Sequence, residues 1–221
     1  MRLYFSRNPN PRLAVAVARH LGSPVAFSFA SPFAPDQAEK FRMLNPSQLL
    51  PILEEPTGAL WEADAIACRL SRLSGTGFWR TDDEEPDMIR WLSWGQGRFV
   101  AACDKVSFEF GTKQRYGFGP VDAAKVEEGI AQFRQSAVML ESELSGRDFL
   151  LRSGLSYADF RMATFLPYND VAGLPLEEFP ALQAWYDRLQ AIPAWADPFA
   201  GLEAPQLPVV QLASERARKP A

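Results

Sequence analysis

The residues best placed for chemistry lie in one stretch, Asn45-Pro46-Ser47-Gln48-Leu49-Leu50-Pro51-Ile52-Leu53, followed by Leu60-Trp61-Glu62-Ala63-Asp64-Ala65-Ile66. Proline cannot donate to a sheet ladder, so Pro51 marks the start of a strand rather than its middle. Ile52 and Leu53 continue that strand, Glu55-Pro56-Thr57-Gly58 is a turn cluster, and Ala59-Leu60-Trp61 is a second short strand. Glu62-Ala63-Asp64 then opens a helix. The backbone before Pro51 keeps polar groups that face outward, and a helix N-terminus, which favours anions, arrives beside them. Together they form a site for an extended peptide with a carboxylate end.

The remaining reactive residue types narrow the chemistry. His20 is the single histidine, which excludes mechanisms needing a histidine pair or cluster. Cys68 and Cys103 lie far apart in helix-like segments, neither a disulfide framework nor a metal set, so no metal site is expected and a reducing cytoplasm is the simplest compartment. With 23 basic and 27 acidic residues the net charge is −4 and no basic stripe is present, which argues against nucleic acid as a partner. No apolar run approaches the roughly 18 residues of a membrane span. Met1-Arg2-Leu3-Tyr4-Phe5 does not read as a signal peptide. The 221 residues, 47% hydrophobic and 23% charged, suit one large or two small globular domains.

The elements that must position the site follow from periodicity. Arg2 to Phe5 is a short strand, and Ser6-Arg7-Asn8-Pro9-Asn10-Pro11 a loop. A helix is expected from Arg12 to His20, with Asn10 as its N-cap, Pro11 in its first turn and Gly22 at its end. Val25 to Phe29 is a second strand, residues 31–35 a loop, and Asp36 to Leu44 a short helix stopped by Asn45-Pro46. A helix from about Ala63 to Ser74 follows the two strands already described. The block reads β-α-β-α-β-β-α, its first two strands joined by a right-handed crossover and its last two antiparallel.

After a polar linker the pattern turns helical. Asp87 to about Phe110 is a long amphipathic stretch, weakened or closely packed at Gly95 and Gly97. Val121 to Leu144 is a second long helix, and Ser156-Tyr157-Ala158-Asp159 reads as a capped helix start. Leu182 to Ile192 is the last clear helix. The expected division is an α/β domain over residues 1–78, an all-α domain over 86–204, and a loosely held tail over 205–221.

This order of elements, with Asn45-Pro46, Leu50-Pro51-Ile52-Leu53, Glu62-Ala63-Asp64-Ala65-Ile66 and Gly154-Leu155-Ser156-Tyr157-Ala158-Asp159, resembles the cytosolic glutathione transferases over about residues 1–200. The resemblance implies an N-terminal thioredoxin-like domain, an all-helical C-terminal domain, a cytoplasmic homodimer, and glutathione as co-substrate without a further cofactor. Pro51 would be the cis proline of the fold, Leu50 would pair its backbone with the cysteinyl residue of glutathione, and Glu62 with the backbone of Ala63 would hold the γ-glutamyl end. Ser156 and Asp159 would cap a helix. The family usually has serine where this chain has Ala63, a hydroxyl whose loss costs about 1 kcal/mol of glutathione affinity.

A transferase of this kind must hold a thiolate. Lowering a thiol pKa by two units from about 8.5 takes roughly 2.7 kcal/mol of preferential thiolate stabilisation. In the family the donors come from the loop after the first strand, which here has no cysteine, and no tyrosine beyond Tyr4. The candidates are Asn10, then Asn8, then Ser6, and the loop is similar to that of the bacterial Nu-like classes. An asparagine amide donates to a thiolate but cannot take its proton. A small hydrophobic electrophile would sit on aromatics of the helical domain, among them Trp91, Trp94, Phe108, Tyr116 and Phe118, with Arg98 beside them; Arg7, Arg12 and Arg115 are either attractors for an anionic substrate or solvated surface. The alternatives are a non-catalytic binding or scaffold protein on the same fold, and a glutathione-dependent disulfide or peroxide reductase.

Overall fold

A computed structural model describes residues 1–31 and 37–217 of the chain. The expected loop beyond Ser31, the start of the expected second helix at Asp36, and the last four residues lie outside the described residues. The chain divides into two compact units, Met1–Glu85 with Leu189–Leu207, and Pro86–Arg188 with the residues from Pro208 onward. The first unit therefore recovers a late segment that the sequence reading assigned wholly to the helical domain.

Four short strands make the sheet of the first unit: β1 (Arg2–Phe5), β2 (Ala26–Phe29), β3 (Ile52–Glu55) and β4 (Gly58–Trp61). Their order is β2-β1-β3-β4, with β1 and β2 parallel and the other pairs antiparallel. Side chains alternate across the sheet. Leu3 and Phe5 pack with Ala14, Val15 and Ala18 of helix α1 (Pro9–His20) and with Ile66 and Leu70 of α3 (Ala63–Ser74). Tyr4 and Ile52 face the other way, onto Phe41 at the end of α2 (Gln37–Phe41). Gly75, in the left-handed region at φ 67°, ends α3.

Helix α1 corrects one expectation. It begins at Pro9, not Arg12, and the N-cap position is held by Asn8, not Asn10. Pro9 and Pro11 both fall in the first turn, where a missing N–H breaks no helical bond. At the other end His20 packs on Phe78 with ring centroids 4.7 Å apart, and burial lowers its pKa.

The second unit is helical. The expected long helix is broken into α4 (Glu85–Gly97), α5 (Phe99–Ser107), a π-turn (Phe108–Thr112) and α6 (Lys113–Arg115). The break falls at Arg98, whose φ −134° and ψ −91° leave the helical region. Gly95 marks close packing: a Cβ there would lie 2.8 Å from the end of Met162. Helix α7 (Ala123–Leu144) is capped by the Asp122 carboxylate, which accepts from the N–H groups of Ala124 and Lys125 at 3.1 and 3.3 Å. It packs on α5 through Gly129, where a Cβ would come within 2.7 Å of Val106. Helices α8 (Tyr157–Met162), α9 (Asn169–Ala172) and α10 (Pro180–Gln190) follow. Helix α11 (Pro193–Ala196) belongs to the returning segment of the first unit, and α12 (Ala213–Arg216) to the second.

Among the described residues of the tail expected to be loosely held, Pro208 and Arg216 are tied to the second unit. The Arg216 guanidinium lies 3.6 Å from the Phe110 ring centroid and donates to the carbonyl oxygens of Val171 and Ala172. Arg115, weighed as an attractor of anions, donates to the Pro208 carbonyl at 3.3 Å. The periodicity of the tail is too short to announce such anchors, which rest on single arginines.

Asp159, 0% exposed, organises the second unit. Its carboxylate accepts from the N–H of Leu150 at 2.9 Å, the indole N–H of Trp185 at 3.0 Å, and the N–H and hydroxyl of Ser156 at 2.9 and 3.2 Å. Burial pushes its pKa up, and these donors oppose that shift. Removing the acceptor strands buried donors from three elements. Asp159→Ala is expected to cost at least about 3 kcal/mol in denaturant unfolding.

Candidate functional site

Strand register brings the site residues to one end of the sheet. Tyr4 pairs with Ile52 and Ile52 with Trp61. Carried one residue further, these registers set Phe5 and Glu62 on either side of Pro51. Neighbouring strands lie about 4.8 Å apart. Ser6, Leu50-Pro51 and Glu62-Ala63 therefore leave the sheet side by side. The N-termini of α1 and α3 open at the same end, each a source of partial positive charge.

Pro51 follows a cis peptide bond, as the resemblance implies, and Ile52 is the first strand residue after it. Leu50 is buried, and its peptide groups precede the ladder. The turn leading to it is held by Asn45, itself buried. The Asn45 amide donates to the Leu49 carbonyl at 2.8 Å, and its oxygen accepts from the Ser47 N–H at 3.0 Å and the Ser47 hydroxyl at 2.9 Å. In the sequence Asn45-Pro46 reads as a helix stop and as part of the motif that carries the resemblance, but not as the residue that holds the turn. The signal for the larger role was present, because an asparagine bonding two residues ahead is a recognised turn former.

Glu62 adopts φ 70° and ψ 131°, a conformation rare for a residue with a side chain and costing about 1–3 kcal/mol. Such strain persists only where the surroundings impose it. Glu62 is exposed at the N-cap position of α3, whereas Ala63 is 4% exposed and directs its N–H along the first turn. A carboxylate-bearing peptide end meets there a helix N-terminus and, in Glu62, an acceptor for an ammonium group.

The loop after β1 presents the other candidates. Ser6 is 3% exposed, and its hydroxyl accepts from the N–H and the side-chain amide of Asn8 at 3.4 and 3.3 Å. Asn8 stands at the mouth of α1, while Asn10 lies within its first turn on the solvent side. The structure thus brings Ser6 and Asn8 together and places Asn10 inside the first turn of α1. Cys103 is buried, and burial together with the charge of Asp104 pushes its thiol pKa well up, against any role as a nucleophile. Among the described residues no group of three or more histidine, cysteine, aspartate or glutamate side chains could hold a metal ion.

In the second unit the expected aromatics form separate sets. Trp91 is buried core. Trp94 meets it edge-on at 5.5 Å and lines a cavity of about 400 Å³ with Arg98, Gln132, Gln135, Ser136 and Met139. Tyr116 neighbours Phe118 at 6.0 Å, and Phe118 stacks on Phe108 at 6.5 Å, with Phe108 and Phe118 both exposed. Tyr116 does not line the Trp94 cavity.

Comparison with known proteins fits this geometry. Residues 123–188 match the family model described as the C-terminal domain of glutathione S-transferases. Glutathione S-transferase D6 of Drosophila melanogaster is 22% identical over 214 residues, spanning 92% of this chain and 94% of its own length. FtsZ-localized protein A of Caulobacter vibrioides is 28% identical over 175 residues, 74% of this chain and 77% of its own. The structure of glutathione S-transferase-I bound with lactoylglutathione superposes with a TM-score of 0.80 at 20% identity, over 90% of this chain and 98% of that one. The fold is that of the glutathione S-transferases, and the nearness to Nu-like classes remains a matter of the loop sequence alone.

Asn45→Ala removes three bonds around the turn before Pro51. It is expected to cost about 2 kcal/mol and to speed amide hydrogen exchange at residues 47–50 while leaving exchange in α7 unchanged.

Proposed function

We propose that the chain binds glutathione at the sheet end formed by Leu50, Pro51, Glu62 and Ala63, and activates its thiol for attack on a small hydrophobic electrophile. The observation that carries this reading is the convergence of Leu50-Pro51, the strained Glu62, and the mouths of α1 and α3 at one end of the sheet. An extended peptide laid along Leu50 takes backbone bonds there. Its γ-glutamyl end reaches Glu62 and the N–H of Ala63, and its sulfur points to the loop at Ser6 and Asn8. A structural neighbour solved with lactoylglutathione bound supports the same ligand class.

Asn8 replaces Asn10 as the first candidate for the thiolate donor. It stands at the helix mouth, where its amide and the α1 dipole act on the same point. Ser6 comes second, since it is 3% exposed, although its hydroxyl can still donate while it accepts from Asn8. The loop offers serine and asparagine, neither of which can hold a proton near neutral pH. It can therefore stabilise a thiolate without taking its proton, which leaves to solvent. The electrophile is assigned to the aromatics of the second unit, the exposed Phe108 and Phe118 with the half-buried Tyr116, or alternatively to Trp94. A cytoplasmic homodimer is part of this reading. No described helix is long and apolar enough to cross a membrane.

A second reading is favoured by Ala63, which lacks the family's hydroxyl, and by the likeness to FtsZ-localized protein A. In it the site displays or binds glutathione without turnover. Retention on a glutathione column followed by conjugation assays separates the two. Asn8→Ala is expected to lower kcat for conjugation about tenfold or more while changing retention little; unchanged kcat removes Asn8 from the mechanism, and no retention removes the glutathione reading. Ala63→Ser is expected to tighten glutathione binding about fivefold by calorimetry, the equivalent of one added hydrogen bond.

A further inference from the structure

We infer that Arg7 is a positioning residue, a clamp that fixes the thiol-facing loop by gripping the returning segment of the first unit. The inference rests on the reading above, in which Ser6 and Asn8 face the sulfur.

Arg7 lies between the two candidate donors, in the loop that follows the end of β1 at Phe5. Phe5 and Arg7 face one way. The Phe5 ring stacks on Phe199 at 5.8 Å and 18°, and the Arg7 guanidinium lies 4.5 Å from the centroid of the same ring. Arg7 Nε also donates to the Ala204 carbonyl at 2.9 Å. Ser6 and Asn8 are joined to each other by a bond of their own. That bond is long, at 3.3 Å, and the backbone bond beside it is 3.4 Å, so both are weak. A firmer tie on the loop runs through Arg7, whose bond to Ala204 is 2.9 Å.

Two further arginines serve the helix that follows. Arg12 donates to the Trp195 carbonyl and lies 4.8 Å from that indole. Arg19 donates to the Ala200 carbonyl at 2.6 Å and covers Phe27. Neither Arg7 nor Arg12 is solvated surface, and neither is spent on attracting an anion. All three side chains read carbonyl oxygens of residues 195–204. A guanidinium can lie flat on a ring while donating from its edge, which an ammonium cannot do. Arg7→Lys should therefore hold the loop less well although it keeps the charge.

The test uses the full chain, with Arg7→Ala, Arg7→Lys and Phe199→Leu, so that a fold-compromised variant does not decide the matter alone. Two measurements are made: amide hydrogen exchange across residues 6–8, and the ultraviolet thiolate band of bound glutathione against pH. Expected for Arg7→Ala are faster exchange at residues 6–8 with α7 unchanged, and a bound-thiol pKa raised by about one pH unit. The kcat for chlorodinitrobenzene should fall about three- to tenfold with KM for glutathione within about twofold. Arg7→Lys and Phe199→Leu should fall between wild type and Arg7→Ala. Unchanged exchange in Arg7→Ala and Phe199→Leu overturns the clamp, and faster exchange with an unmoved thiol pKa overturns its link to activation. A wild-type protein that binds no glutathione in calorimetry overturns the function proposed above instead, while exchange still decides whether Arg7 holds the loop.

Discussion

The antiparallel pairing of β3 with both β1 and β4 is the constraint on which the rest of the first unit depends. Tyr4 to Ile52 to Trp61 is one row across the sheet. Because side chains alternate with period two, a slip of one residue would turn Ile52 and Leu53 to the wrong faces. Both are fully buried, so the register is strongly specified. The same register delivers the end of β1, the start of β3 and the end of β4 to a single edge. Three segments distant in sequence thus become neighbours without any contact having been selected between their loops. The bond from the Tyr4 hydroxyl to Glu54 at 2.9 Å adds a cross-strand tie at the other end of the row.

What lies beyond the sheet is held by charge-assisted bonds to backbone as well as by apolar packing. The returning segment of the first unit contributes Phe199 to the core and offers carbonyl oxygens to three arginines. In the second unit Asp159 plays the complementary part, an acceptor surrounded by donors from Leu150, Ser156 and Trp185. Each arrangement joins segments that have no periodic reason to meet. Each also carries direction, which apolar packing lacks, and direction is what a site accurate to fractions of an ångström requires.

This division explains what was legible in the sequence. Period-two and period-3.6 patterns specified the strands and helices, Pro51 gave the start of β3, and Ser156 with Asp159 gave the cap of α8. The N-cap of α1 was misplaced because two asparagines alternate with two prolines, and each asparagine makes an acceptable cap. The competing consideration that won is proline itself: Pro9 and Pro11 fit equally well in one first turn, and the helix starts at the earlier. The break at Arg98 was only half visible, since Gly95 and Gly97 signal the weakness but not which of them packs. The arginine bonds were invisible, because an arginine on a carbonyl leaves no pattern in the chain. Arg7, Arg12 and Arg115 look like surface until the segments they grip are placed.

The chemistry at the loop follows from what its residues lack. A serine hydroxyl and two asparagine amides can lower a thiol pKa only by favouring the anion, since none can hold the released proton near neutral pH. Activation is then a binding difference: each pH unit corresponds to about 1.4 kcal/mol by which the site prefers thiolate to thiol. Donors aimed at the sulfur supply that preference only if they need not move when the charge appears. A loop free to turn would lose much of its stabilisation to reorganisation. Behind residues 6–8, Arg7 donates to the Ala204 carbonyl and lies over the Phe199 ring, so the loop of the proposed site is tied to the returning segment.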